Sequence, residues 1–254
     1  MSHFLTFLGT GAADPSPLLQ TEYRDRFSCD LRRCSALLID GSILIDCGPH
    51  VPGSLSILGI DPAGITDLFI THFHGDHVNR ETLDFLAERA PGLRVHYRAD
   101  ANPSLPKGVV PCPMTLFSPD ETAGVRVTGY PANHQAHPQV LDFAFPDFRF
   151  LYATDGAWFL GDTVRAMQDA RYDAVCLDAT CGDYLGDYRM GEHNSIPMIR
   201  VMVPSMRTLN ILKDDSRIIL THLATTLHKS YADTAEKTKG DGFTVAYDGL
   251  TLTL

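Results

Sequence analysis

No stretch of the chain reaches the roughly 18 consecutive apolar residues that a membrane span requires. The opening MSHFLTFLGTG also lacks a basic segment followed by an apolar run and a cleavage site. A cytoplasmic protein with no membrane partner is therefore expected. The six cysteines, Cys29, Cys34, Cys47, Cys112, Cys176 and Cys181, include no C-x-x-C pair. In a chain of 254 residues, large enough to bury its own core, they read as reduced thiols. Positive charge is scarce, with 21 Lys and Arg against 31 Asp and Glu, a net charge of −10. That sign opposes binding of long nucleic acid, which depends on basic residues neutralising phosphates. It does not oppose a small anion held by metal ions, whose charge dominates a pocket. Internal repeats and low-complexity tracts are missing, and 44% hydrophobic with 20% charged residues excludes disorder and a long coiled coil. One folded domain over residues 1–254 is expected.

Short apolar stretches separated by turns run from end to end. His3 to Leu8, Ser35 to Ile39, Ser42 to Ile45, Leu68 to Thr71, Leu93 to Tyr97 and Val125 to Tyr130 read as strands. So do Leu141 to Phe145, Phe148 to Ala153, Ala174 to Asp178 and Arg217 to Thr221. Asp40-Gly41 suits a hairpin turn, and a second hairpin is expected at the end, with Phe243 to Tyr247 and Leu250 to Leu254 turning at Asp248-Gly249. Helical spacing marks Asn79 to Arg89, Phe159 to Ala170, Ser195 to Leu212 and Thr225 to Lys239, with Pro204 expected to kink or split the third. Helices interleaved with strands predict an α/β fold: an αββα sandwich of two mixed sheets with helices on the outer faces.

The strongest chemical signal is Leu68-Phe69-Ile70-Thr71-His72-Phe73-His74-Gly75-Asp76-His77, in which an apolar strand ends in three histidines and an aspartate. His72 and His74 are two apart, so in extended chain they project to one side and can grip one ion. Gly75 permits a tight turn that lets Asp76 and His77 face a second ion. Imidazole and carboxylate suit zinc, manganese and iron. Single candidates of the same kind follow later strands: His134 after Val125 to Tyr130, Asp155 after Phe148 to Ala153, and His222 after Arg217 to Thr221.

With these residues the sequence resembles the metallo-β-lactamase superfamily, whose H-x-H-x-D-H motif stands here as His72 to His77. The resemblance implies that superfamily's fold and two divalent metal ions. The ions would be held by His72, His74, Asp76, His77, His134, Asp155 and His222, with Asp155 bridging. It also implies that Asp46 supports the metal loop without binding metal. The opening Leu8-Gly9-Thr10-Gly11-Ala12-Ala13, the Pro131-Ala132-Asn133-His134 loop and the ending Tyr247-Asp248-Gly249-Leu250 are similar to the phosphodiesterase branch. That branch holds ribonuclease Z and the cyclic-phosphate phosphodiesterase of the carbon-phosphorus lyase pathway, the second matching better in length and ending.

Within that branch His193, in Gly191-Glu192-His193-Asn194-Ser195, falls where a histidine that binds no metal protonates the departing oxygen. Asp76 and His193 are therefore the candidate catalytic side chains. The implied activity is hydrolysis of a small or cyclic phosphate ester by a metal-bound hydroxide. A lactone or thioester hydrolase, or a silent metal-binding module, is the alternative. Only Cys29 and Cys34 occupy the early stretch where a relative carries a cysteine cluster, so no structural zinc is expected. A homodimer would match the branch's habit. His50 and His137 are further candidates for the pocket, while His3, His96 and His228 read as ordinary polar residues.

Overall fold

The computed structural model describes residues 2–184 and 186–254. The chain divides into two compact units, residues 1–115 with 247–254, and residues 116–246. The first unit contains strands β1 (Phe4–Gly9), β2 (Ala36–Ile39), β3 (Ile43–Ile45), β4 (Asp67–Phe69), β5 (Arg94–Arg98) and β6 (Val110–Met114), with helices α1 (Val51–Leu58) and α2 (Arg80–Arg89). The second unit contains strands β7 (Pro119–Thr122), β8 (Val125–Pro131), β9 (Gln139–Ala144), β10 (Arg149–Ala153), β11 (Tyr172–Asp178), β12 (Leu212–Thr221) and β13 (Thr244–Val245). Its helices are α3 (Gly161–Met167), α4 (Ile196–Thr208) and α5 (Tyr231–Thr238). A last strand, β14 (Thr251–Thr253), returns to the first unit.

Each unit is built on one mixed sheet of seven strands, ordered β14-β1-β2-β3-β4-β5-β6 in the first and β13-β12-β11-β10-β9-β8-β7 in the second. In the first, β14 to β3 pair antiparallel and β3 to β6 pair parallel. In the second, β7 to β10 are antiparallel and β10 to β13 parallel. Leu38, Leu44, Leu68 and Val95 form one buried cluster with Leu55 of α1 and Leu83 and Leu86 of α2. Leu151, Val175, Leu177 and Leu220 form another with Ile199, Val203 and Met206 of α4. One apolar stripe per helix against one sheet face explains why these segments are helical.

Three expectations need correction, and three elements were not expected at all. The final hairpin is absent: β13 pairs parallel with β12, β14 pairs antiparallel with β1, and Asp248-Gly249 carries the chain from one sheet to the other. Pro204 lies inside α4 without splitting it, and α4 stops at Thr208 because Leu212 already belongs to β12. A proline there forfeits one backbone hydrogen bond that solvent can replace, since Arg200, Val201 and Pro204 lie on its exposed side. The segment from Thr225 is helical only from Tyr231, where Ser230 accepts from Asp233 N–H as N-cap. Finally, α1, β6 and β7 went unmarked: α1 has Pro52 in its first turn and a left-handed Gly59 C-cap but no side-chain N-cap, and β6 reads Val-Pro-Cys-Pro-Met at a sheet edge, where prolines are tolerated.

Candidate metal centre

The ligand-type residues sit immediately after strands that run in parallel, where chain ends and loops collect. In the first unit β3 ends at Ile45 and Asp46 follows with a φ of 62°, a left-handed conformation that aims its carboxylate back under the loop after β4. There Asp46 accepts from Thr71 N–H (2.8 Å), from the Thr71 hydroxyl (2.9 Å) and from His77 Nδ1 (2.7 Å). Gly48 is required two residues later, because a Cβ there would lie 2.0 Å from the Asp76 carbonyl oxygen. Cys47 N–H donates to the His77 carbonyl at 2.7 Å, tying the two loops together.

That scaffold gathers the whole H-x-H-x-D-H motif. His72 Nε2 and His74 Nδ1 lie 2.8 Å apart, and His77 Nε2 lies 3.4 Å from the Asp76 carboxylate. Asp46 takes the proton on His77 Nδ1, which leaves the Nε2 lone pair for a cation. His72, His77 and Asp46 are buried, whereas His74 and Asp76 are partly open. Imidazole and carboxylate atoms converging in this way fit a divalent metal. The neighbouring thiols are not among the convergent donor atoms of the described residues, and burial pushes Cys34 up to about 12 and raises Cys47 as well.

The second unit brings together the other four predicted residues. His134 Nε2 lies 3.4 Å from Asp155 Oδ1, and its Nδ1 is 3.5 Å from the Glu192 carboxylate. Asp155 and His222, each just past a strand end, take φ values of 55° and 57°. His193 Nδ1 is 2.9 Å from Asp178 Oδ2 and 3.3 Å from Asp155 Oδ1. Ligand atoms of Asp155, Asp178, His193 and His222 all lie within 4.8 Å of one another.

Asp178, Thr180 and Glu192 escaped the reading of the sequence. Asp178 closes an apolar strand just as Asp155 follows one, so the same signal could have found it. It is fully buried and receives Thr180 N–H, Asn194 N–H, the Thr180 hydroxyl and His193 Nδ1. Burial alone would raise its pKa, but the charge of His193 and the hydrogen bond from it hold it below the ordinary range. For His193 burial alone would lower the pKa; Asp178, Asp155 and Glu192 outweigh it and raise it to about 9. The surrounding carboxylates thus favour the protonated imidazole.

The remaining histidines are accounted for locally. His50 Nδ1 accepts from Cys34 N–H at 3.1 Å, and burial with the nearby Arg33 charge pushes it down to about 4. His137 is exposed on the loop after His134, with a φ of 52°. His3 pairs with Asp40, His96 with Asp67, and His228 Nε2 lies 3.0 Å from the Ala179 carbonyl. No helix among the described residues is long and apolar enough to cross a membrane.

Similarity to known proteins agrees with this geometry. A ribonuclease Z of Methanococcus maripaludis is 43% identical over 75 residues, 29% of this chain and 21% of that one, so the match spans about a fifth of the relative's length. Among solved structures, a diphosphatase from the PhnP family superposes with a TM-score of 0.70 at 18% identity, covering 100% of this chain and 98% of that one. Zinc-bound PqqB from Methylobacterium extorquens gives 0.73 at 18% identity, covering 99% and 100%. At such identities the likeness speaks to the fold. The sequence profile of the metallo-beta-lactamase superfamily matches residues 29–193, which carry the motif, His134, Asp155 and His193. The chain belongs to the metallo-beta-lactamase superfamily.

Proposed function

We propose that this protein is a two-metal phosphodiesterase acting on small or cyclic phosphate esters. His72, His74 and His134 would hold one divalent ion, Asp76, His77 and His222 the other, and Asp155 both. When bound, such a pair supplies a water acidic enough to attack at neutral pH and offsets phosphate charge. Zinc, manganese and iron all suit the donor set.

The observation that carries the reading is the Asp178–His193 pair. His193 lies outside the proposed ligand set, yet it is fixed 2.9 Å from a buried carboxylate whose charge favours its protonated form, beside Asp155. An alkoxide leaving phosphorus needs a proton, and His193 holds one at Nε2 while Nδ1–H stays bonded to Asp178. Hydrolysis of a thioester, whose thiolate leaves without a proton, would leave this acid with less to do. A small substrate is supported by the segment between His134 and Asp155, which is only the β9–β10 hairpin. Its one basic residue besides His137, Arg149, is bound to Asp142 at 2.6 Å and so is not offered to a phosphate backbone.

The test compares bis(p-nitrophenyl) phosphate with a lactone and a thioester panel, using metal-stripped protein as control. A nucleoside cyclic phosphate is then set against precursor tRNA at low and physiological salt. Metal-dependent turnover of the phosphodiesters, with the cyclic ester preferred to tRNA, is expected. Exclusive turnover of the carbonyl compounds, or salt-sensitive cleavage of tRNA with the cyclic ester untouched, overturns the reading.

A further inference from the structure

The Thr180 hydroxyl lies among four polar atoms and has one proton to give. His222 O is 2.7 Å away, His222 Nδ1 2.8 Å, Asp178 Oδ2 3.1 Å and His193 Nδ1 3.3 Å. A carbonyl and a carboxylate oxygen only accept, so the hydroxyl proton must go to one of these two. If it went to His222 Nδ1 instead, the hydroxyl oxygen would face a carbonyl at 2.7 Å and a buried carboxylate at 3.1 Å with nothing between them. That arrangement leaves buried acceptors opposed and is costly. His193 Nδ1 does not compete for the proton, because it already donates to Asp178 Oδ2. The contact at 2.8 Å is therefore a hydrogen bond from His222 Nδ1–H to Thr180 Oγ1.

We propose that Thr180 is a positioning residue that fixes His222 as the Nδ1–H tautomer, with the Nε2 lone pair presented to a metal ion. The inference rests on the reading of His222 as a ligand. Two features strengthen it. His222 has a φ of 57°, which a non-glycine residue keeps only where its surroundings hold it, and Thr180 engages both the carbonyl and the ring of that one residue. Asp178 Oδ2 also stands 3.4 Å from His222 Nδ1, and a negative charge there favours a proton on that nitrogen. Thr180 itself is held by its N–H, which donates to Asp178 Oδ1 at 3.0 Å, so one buried carboxylate sets both His193 directly and His222 through the hydroxyl.

The experiment has two parts, neither requiring substrate. Ring ¹⁵N spectra of the metal-free wild type, with His222 assigned by comparison with H222Q, should show protonated Nδ1 and bare Nε2; an Nε2–H tautomer overturns the proposal. Chelator competition then measures zinc affinity in T180V, which loses the hydroxyl, and T180S, which keeps it. The weaker-bound ion should lose about 10- to 100-fold in affinity in T180V, the usual effect of removing a group that orients a metal ligand, with T180S restored to within a few-fold of wild type. Equal affinity in all three proteins overturns the proposal, and so does equal loss in T180V and T180S, which would mark a packing role. If T180V does not fold, the wild-type spectrum and T180S still decide. A protein that binds zinc as described yet cleaves no phosphate ester would remove the functional reading and leave this one standing.

Discussion

Each unit contains the same small device, a buried aspartate and a threonine beneath two histidines, and the two copies differ in what they leave free. In the first, Asp46 and Thr71 sit under His77 and His72: His77 Nδ1 is 2.7 Å from Asp46, and His72 Nδ1 is 3.1 Å from the Thr71 hydroxyl. In the second, Asp178 takes His193 Nδ1 and Thr180 takes His222 Nδ1. The His77 side chain is 0% exposed and that of His193 is 13% exposed. An orienting carboxylate therefore does not define the role of its histidine. On the proposed reading the sealed His77 holds an ion, while His193, with an opening to solvent and a buried aspartate behind it, carries a proton to a substrate.

The largest effect belongs to the residue outside both devices. Asp155→Ala should remove most of the metal and lower turnover on the order of 10⁴-fold or more, as when a group the whole constellation depends on is lost. Metal analysis of the purified variant checks it; two tightly held ions with normal turnover would refute the ligand assignment. The next pair of substitutions tests the comparison directly. His193→Ala should keep its metal and lose roughly 10²- to 10⁴-fold on esters of poor leaving groups, the range of a general acid. The loss should shrink for p-nitrophenyl esters, whose leaving group scarcely needs a proton. His77→Ala should lose metal, with equal damage for both ester types. If the two variants behave alike, the devices do not differ as described.

A smaller effect is expected at the carboxylates beneath. Asp46→Asn should weaken metal binding about 10- to 100-fold, with turnover recovering as metal is added. Asp178→Asn should leave turnover low at saturating metal, because His193 loses the charge that keeps it protonated. Titration of both variants with zinc under assay separates the two, and recovery of Asp178→Asn by metal alone would contradict the acid role.

The convergence of donor side chains after β4 was legible in the sequence because they are local: His72, His74, Asp76 and His77 fall within six residues, and their spacing alone brings the donor atoms together. Asp155, His134 and His222 were legible as polar residues closing apolar strands. Asp178 gives the same signal but is the last residue of β11 instead of the first after it, so it reads as part of the strand. Thr71 and Thr180 were hidden for a different reason. A hydroxyl acquires its role from the atoms around it, and Thr180 meets His222 across 42 residues. The misread final hairpin has a similar cause. Phe243 to Tyr247 and Leu250 to Leu254 suit strands joined by a two-residue turn, but β13 finds its partner in β12 and β14 in β1, and tertiary pairing overrides the local signal.

The smallest expected effect contrasts Asp178 with a third buried aspartate, and concerns stability alone. Asp248 is as deeply buried but lacks an imidazole: it accepts from the Thr10 hydroxyl at 2.8 Å and from Arg33 N–H at 2.7 Å. Burial dominates over these bonds and over the charges of Arg32 and Arg33, raising its pKa to about 6. In the unfolded chain it titrates near 3.9. Between those values the folded protein keeps a proton that the unfolded chain has released, so the folded state binds more protons and stability falls as pH rises from about 4 to about 6. Two units of difference correspond to about 3 kcal/mol. Asp178 has the opposite sign: its pKa lies below the ordinary value, and its contribution is lost only as pH falls through that lower value. Urea unfolding of metal-free wild type and Asp248→Asn at intervals from pH 4 to pH 7 isolates the first term, since other carboxylates cancel in the difference. Wild type should lose about 3 kcal/mol relative to the variant across that window and run parallel to it above pH 6.5. A difference that stays flat, or that grows in favour of wild type with rising pH, would mean that the two arginines outweigh burial at Asp248 as His193 does at Asp178.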